Sequence, residues 1–360
     1  MNKPWLVKAG SWLGLRAVKW RLPFANIAVK KTIFEQFCGG TTLLECGEKI
    51  EKLAQFQVLT VLDYGAEAKE TEMDFNHTMN EAIRALDFAA RSKTIPVVVA
   101  KTTGMGRAEL LERISRQEIL SQEEEKEYNH LVKRIDAVCY AASERGVSVY
   151  IDGEESWVQD AIDSLVDKMM ARYNRERVVV YNTFQMYRHD RLDFLKKSFI
   201  KSRQMGYLLG AKLVRGAYME KERRRAAAMN YLSPINLDKA ATDQLYDDGI
   251  AFCIENIDYV AVCNASHNAE SALRQARLME EKSIPHHHPH LFFSQLYGMS
   301  DNLTFNLAAA GYRVGKYMPY GTVREVIPYL LRRAQENTSV TGDMSREFQL
   351  IKKEATRRGI

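Results

Sequence analysis

The stretch "IPYLLRRAQEN", residues 327–337, holds Tyr329, Arg332, Arg333 and Glu336 at relative positions 0, 3, 4 and 7. On a helix turning about 100° per residue, these four side chains fall within an arc of roughly 100°. Such an arc is usually the apolar stripe that seats a helix on a core. Here it carries a phenol, two guanidinium groups and a carboxylate. Paired guanidinium forks suit a carboxylate or a phosphate, because each planar fork offers two donors to two oxygens. Glu336, one turn beyond the pair, is placed to hold them in position. A solvated helix face is the plain alternative on spacing alone.

Further polar residues sit at the ends of short β-branched runs: "VLTVLDY" (58–64), "PVVVAKT" (96–102), "VSVYID" (147–152), "RVVVYNT" (177–183), "AKLVRGAY" (211–218), "DYVAVCNAS" (258–266), "HLFFSQL" (290–296) and "YRVGKYMP" (312–319). Each is too short for a helix and mostly apolar, as a strand buried on both faces should be. Helical stretches such as "ALDFAARSK", "HLVKRIDAVCYAASERG" and "AIDSLVDKMMARY" separate them, the second ending in the glycine expected just past a helix. Eight strands alternating with helices predict a (β/α)8 barrel of the TIM type over residues 58–360, preceded by a helical N-terminal region, residues 1–57. The competing doubly wound sheet lacks its fingerprint, since Gly104 and Gly106 give G-x-G without a third glycine.

In such a barrel the strand C-termini build the site. They deliver Lys101, Asp152, Asn182 with Gln185 just beyond, Lys212, Arg215, Tyr218, Ser266, His267, Asn268, Lys316 and Tyr317. A salt bridge or a barrel cap explains any one of these. Six strands sending polar groups to one rim is harder to explain that way, because each buried charge needs a partner. The Arg-Arg stripe follows the eighth strand, so it forms the eighth helix, beside strand one and the barrel mouth.

The chain as a whole has 51 basic and 46 acidic residues, a formal net charge of +5, which argues against a general nucleic-acid role. Its five cysteines are odd in number and lack a C-x-x-C pair, as in a reduced protein without structural disulfides. Residues 1–34 carry seven Lys or Arg, no acid, and Trp5, Trp12 and Trp20. Three readings stay open there: a helix on an anionic membrane surface, an arm packed on the barrel or a second subunit, and a cleaved targeting peptide. The "PHHHPH" histidines read as a polar loop and not a metal site, so no metal is expected. Ser266-His267 lacks a nucleophile elbow.

The segments "AKLVRGAYMEKERRRA", "NASHNAES", "FFSQLYGMSDNLTFNLAAAGYRVGKYMPYG" and "PYLLRRAQENTS" together resemble the proline dehydrogenases. "FEQFCGG" and "VLDYGAEAKETE" resemble the monofunctional branch, and the likeness runs from about residue 32 to the C-terminus. The resemblance implies an FAD-dependent barrel that oxidises L-proline to Δ1-pyrroline-5-carboxylate, with hydride passing from C5 to flavin N5 and electrons onward to a membrane quinone. By motif, it gives Arg332, Arg333 and Lys101 to the substrate carboxylate and pairs Glu336 with an arginine. It closes Tyr317 and Tyr329 over the ring and lines the pocket with Leu213 and Tyr218. It sets Lys212 near flavin N5, with Asp152 and the Gly153 backbone in the network that tunes the flavin. It assigns Asn182, Arg215, Gly216, Ala217, Ser266 and His267 to the cofactor, although many bacterial relatives have Gln where Asn182 stands. The implied setting is the cytoplasm, with peripheral contact to the inner membrane through residues 1–34, or the mitochondrion in a eukaryote. The rivals are a hydroxyproline dehydrogenase, another flavin barrel such as a folate reductase, and a non-catalytic barrel that only binds an anion.

Overall fold

The computed structural model describes residues 33–67, 69–339 and 352–359. The basic arm, residues 1–34, lies outside the described residues except for its last two. Eight parallel strands close into a barrel in chain order. They are β1 Leu59–Tyr64, β2 Val97–Ala100, β3 Ser148–Ile151, β4 Val180–Gln185, β5 Leu209–Val214, β6 Val260–Ala265, β7 Leu291–Leu296 and β8 Val314–Tyr320. β8 meets β1 in a register running from Leu59 opposite Gly315 to Tyr64 opposite Tyr320. Every β-branched run read from the sequence is a strand. Two are displaced along the chain: β4 continues past residue 183 to Gln185, and β5 begins before residue 211 and stops at Val214. Asn174 fixes the start of β4, accepting from the Val179 and Val180 amides at 2.9 and 2.8 Å and donating to the Val180 carbonyl at 2.8 Å.

Strand side chains alternate between two apolar layers. Val61, Val97, Val99, Tyr150, Cys263, Phe292 and Tyr317 fill the barrel interior. Leu62, Val98, Val149, Val180, Phe184, Leu213, Val262 and Val314 point outward under the helices. The helices carry conventional ends. Gln122–Arg145 begins with a Ser121–Glu124 capping box and stops at Gly146, whose φ of +68° a glycine adopts without strain. Ahead of the barrel, Leu43–Ala54 buries Cys46, Ile50 and Leu53 against the shell around β1. Residues 34–40 cross the C-terminal end of β8: the Gly39 amide donates to the Pro319 carbonyl at 2.8 Å, and Phe34 and Phe37 pack with Val326 and Leu330. Residues 33–57 are therefore built onto the barrel. Among the described residues no helix is long and apolar enough to cross a membrane.

Candidate active site

The interior positions at the C-terminal ends of the strands are where the hydrophobic filling stops. There the register brings Asp63, Lys101, Asp152, Lys212 and Tyr317 together. Lys101 donates to both Asp63 carboxylate oxygens, at 2.5 and 2.6 Å, and stands 3.9 Å from Glu67. Lys212 pairs with Asp152, whose other oxygen accepts from the Tyr317 hydroxyl at 2.8 Å. The Lys212 ammonium also lies over the rings of Tyr150 and Tyr317, 5.7 and 5.1 Å from their centroids. A cation on the faces of two phenols and beside a carboxylate is stabilised in a buried site.

The acids differ in consequence. Burial pushes Asp63 up to about 6, against the pull of Lys101 and the Tyr317 hydrogen bond. Burial acts on Asp152 in the same direction, but Lys212 and Lys101 outweigh it and hold that carboxyl below its ordinary range. Lys101 is raised, because Asp63, Glu67 and Asp152 together overcome its desolvation. Burial raises the Tyr317 phenol well above its ordinary value, and its carboxylate neighbours raise it further, so it is a proton donor.

The helix Val323–Ser339 closes this mouth from the β8–β1 side. Its stripe faces inward as the spacing predicts: Tyr329 and Arg333 are buried, and Arg332 makes a two-pronged contact with Glu67 at 2.9 and 2.6 Å. The Arg332 guanidinium also sits 5.5 Å from the Tyr218 ring centroid, and that of Arg333 5.1 Å from the Tyr329 ring. Glu67 would be raised by its burial, yet Arg332 and Lys101 bring it below the ordinary carboxyl range. An unbroken chain of charges, Asp63–Lys101–Glu67–Arg332, thus links β1 to the closing helix. The side chain of Glu336 lies outside the described residues.

A second polar group lies over β5 and β6. Arg215 is gripped by Asp243 and Ser271, both at 2.9 Å, and by the Ser266 hydroxyl. Next to it, His267 Nδ1 is 2.9 Å from the Ser300 hydroxyl. Burial, with Lys316, Arg333 and Arg215 nearby, drives this imidazole down to about 3, so it is neutral. Gly216 has φ +140° and passes over Tyr187 so closely that a Cβ would lie 2.4 Å from the ring. Gly216 and Ala217 are exposed, leaving bare backbone beside Arg215. Gly153 follows Asp152, with the Gln185 side chain 3.1 Å from where its Cβ would be. Lys316 turns out of the barrel and pairs with Asp301 at 2.7 Å.

Two expected site residues point elsewhere. Leu213 follows Lys212, so alternation turns it outward; it is fully buried in the outer shell, toward the helix Lys239–Glu255 at Gly249. It does not line the mouth. Asn182 is likewise on the outer face of β4, where its amide donates to Asp163 at 2.8 Å, itself paired with Arg191. Gln185, three residues on, is on the inner face of the strand instead. Gln185 Nε2 donates to the Glu154 carbonyl at 2.7 Å, while its Oε1 is buried without a partner. The histidine loop is at the opposite end of the barrel, before β7, where His286 stacks on Tyr312 with centroids 4.1 Å apart.

A family profile described as proline dehydrogenase matches residues 46–346. The chain belongs to the proline dehydrogenase family. Among curated relatives, Carbapenem antibiotics biosynthesis protein CarD of Pectobacterium carotovorum subsp. carotovorum is 32% identical over 89% of this chain and 83% of its own length. Proline dehydrogenase 1, mitochondrial, of Homo sapiens is 34% identical over 94% of this chain and 56% of its own length. Hydroxyproline dehydrogenase of Xenopus laevis is 30% identical over 96% of this chain and 80% of its own length. The crystal structure of proline utilization A from Bdellovibrio bacteriovorus shares the fold, with a TM-score of 0.77 at 22% identity, over 87% of this chain and 34% of that one. The structural match shows the same barrel fold. Asp63 and Glu67 are members of its mouth that reading the sequence passed over. Both lie in "VLDYGAEAKETE", and the signal that would have found them is the need of buried Lys101 and Arg332 for counter-charges.

Proposed function

We propose that the chain is an FAD-dependent dehydrogenase that oxidises L-proline to Δ1-pyrroline-5-carboxylate and passes the electrons to a membrane quinone. The observation that carries this reading is one buried mouth with two cationic centres: Lys101 with Arg332 on one side, and Lys212 with Asp152 on the other. The first centre suits a carboxylate, and the second a ring that gains negative charge on reduction.

The chain's own groups fit a flavin. The orphaned Gln185 Oε1 is a buried acceptor that a ring N–H would satisfy. The open backbone at Gly216 and Ala217, beside Arg215, allows close approach of phosphate oxygens. When bound, FAD supplies the acceptor for the hydride that leaves the substrate C5.

Arg332, Arg333 and Lys101 bind the proline carboxylate. Because Glu67 occupies both prongs of Arg332, the entering carboxylate must share that guanidinium or displace Glu67. Tyr317 and Tyr329 close over the pyrrolidine ring, with Tyr218 beneath Arg332. Asp152 holds Lys212 in place by direct contact, and Gly153 lies beside it. Arg215, Gly216, Ala217, Ser266 and His267 hold the rest of the cofactor, the neutral His267 as a hydrogen-bonding group. Glu336 is an arginine partner. The catalytic unit is residues 58–360, preceded by an N-terminal region, residues 1–57, whose basic residues 1–34 suit a membrane surface or a packing contact. The setting is the cytoplasm beside the inner membrane, or a mitochondrion, a word that the human relative's name contains.

Hydroxyproline is the second reading, favoured by the name of the Xenopus relative. Tyr317 opposes it, because a phenol over the ring crowds a hydroxyl on the ring carbon. Steady-state turnover of L-proline and trans-4-hydroxy-L-proline with a soluble dye acceptor decides between them. We expect kcat/KM for proline to be higher by at least about tenfold, a difference of roughly 1.4 kcal/mol. Equal values, or a preference for hydroxyproline, would overturn the assignment.

A further inference from the structure

The loop between the helices Met219–Ala228 and Lys239–Glu255 is unlike the others at the rim. Its second half is pinned. Ile235 is buried and bridges Arg188, the His189 amide donates to the Pro234 carbonyl at 3.1 Å, and Asn236 donates to the Tyr187 and Met186 carbonyls at 2.7 and 3.0 Å. Yet the loop holds Met229, Tyr231, Leu232 and Leu237 in solvent, with Leu232 and Leu237 95% and 91% exposed. A loop anchored at one end that displays four apolar side chains presents a surface.

Behind this tip lies a cavity of about 470 Å³, walled by Arg116, Trp157, Arg188, Arg225 and the loop itself. Arg188 is only 6% exposed. It spends Nε and Nη2 on Asp190, at 3.0 and 2.7 Å, and its Nη1 is buried without a partner. Arg225 lies over the Trp157 ring, 4.3 Å from its centroid, and shares Glu112 with Arg116, which also reaches Glu118 at 3.6 Å. Glu222 accepts from the amide and hydroxyl of Ser156, a residue of the cavity wall, at 2.6 Å each. Arg223 and Arg224 stand exposed on the helix leading into the loop. An unspent guanidinium nitrogen behind an apolar tip with a basic flank complements an amphiphile whose anion sits next to its apolar part.

We propose that this loop and cavity dock the protein on an anionic phospholipid surface. The lipid phosphate lies in the cavity toward Arg188 Nη1, and Met229, Tyr231, Leu232 and Leu237 enter the interface. The site is separate from the Lys101–Arg332 mouth and stands whatever the substrate.

The test is co-sedimentation of the full-length protein with vesicles of phosphatidylcholine, with and without about one third phosphatidylglycerol. The expected result is binding only to the anionic vesicles, weakened at least about tenfold in L232S/L237S and again in R225Q. Dye-linked turnover and melting temperature should match the parent in both variants. Inorganic phosphate at millimolar concentration should leave vesicle binding intact, since the apolar tip contributes to it. Parent-like binding by L232S/L237S, or equal binding to neutral vesicles, would overturn the proposal. So would a parent dimer that the double variant converts to monomer, because the patch would then cover a second copy of the chain. A protein that ignores proline but shows the expected vesicle pattern would sink the catalytic reading and leave the docking site standing.

Discussion

At the scale of single residues, the charges at the mouth are committed to partners inside the fold. Arg332 is held by Glu67, and Arg333 is packed against Tyr329. Replacing either by Met removes a charged donor from a site that has excluded water. We expect KM for proline to rise by one to two orders of magnitude, about 1.5–3 kcal/mol, with the flavin still bound. Unchanged proline kinetics in both variants would remove these arginines from the site. Glu154 gives a second residue-scale prediction. It is buried, accepts from the Thr103 amide and hydroxyl at 3.0, 2.9 and 2.7 Å, and burial raises it from an ordinary 4.5 to about 7. Between those pH values the folded chain binds more protons than the unfolded one, so stability falls as pH rises through the window. E154Q lacks this slope. The stability of the wild type relative to E154Q should therefore decline from pH 4.5 to pH 7, by about 3 kcal/mol at most. Denaturant titrations at several pH values check it, and a parallel pH dependence in the two proteins would contradict it.

At the scale of elements, strand parity decides what reaches the mouth. Leu213 is the sharpest case, because it neighbours Lys212 but faces the opposite way. L213A should cost about 2–5 kcal/mol of stability, as other large-to-small core changes do, while KM for proline stays within about twofold of the parent. A large KM effect without a stability loss would return Leu213 to the pocket. The linker after β5 carries another test. Gly216 combines φ +140° with a Tyr187 ring where a Cβ would be. G216V should lose flavin affinity through displacement of the Arg215–Ala217 backbone, read as a lower flavin-to-protein absorbance ratio.

The barrel itself was legible in the sequence because a strand buried on both faces leaves a continuous apolar run. The Arg-Arg stripe was legible because helical spacing survives in sequence. Asn182 and Leu213 were misplaced for a common reason: an unbroken apolar run carries no alternation to reveal its inner face. β4 also ends two residues beyond the expected residue 183, at Gln185. Asp63 and Glu67 were missed because their partners are distant in the chain: Lys101 arrives through the pairing of β1 with β2, and Arg332 only on closure of β8 against β1.

At the scale of the whole molecule, one scaffold has to carry two different functional faces. The mouth combines charges from β1, the βα loops and the closing helix, so its geometry exists only when the barrel is shut. The pinned loop before Lys239 lies on another part of the rim. Family membership covers residues 46–346, and the charged mouth falls within that span. The central claim, that this mouth brings proline to a flavin, is tested most directly by the visible absorption spectrum of the purified protein before and after anaerobic addition of L-proline. We expect a flavin spectrum that bleaches with proline. A flavin that stays oxidised, or a protein that remains colourless after incubation with FAD, would contradict it.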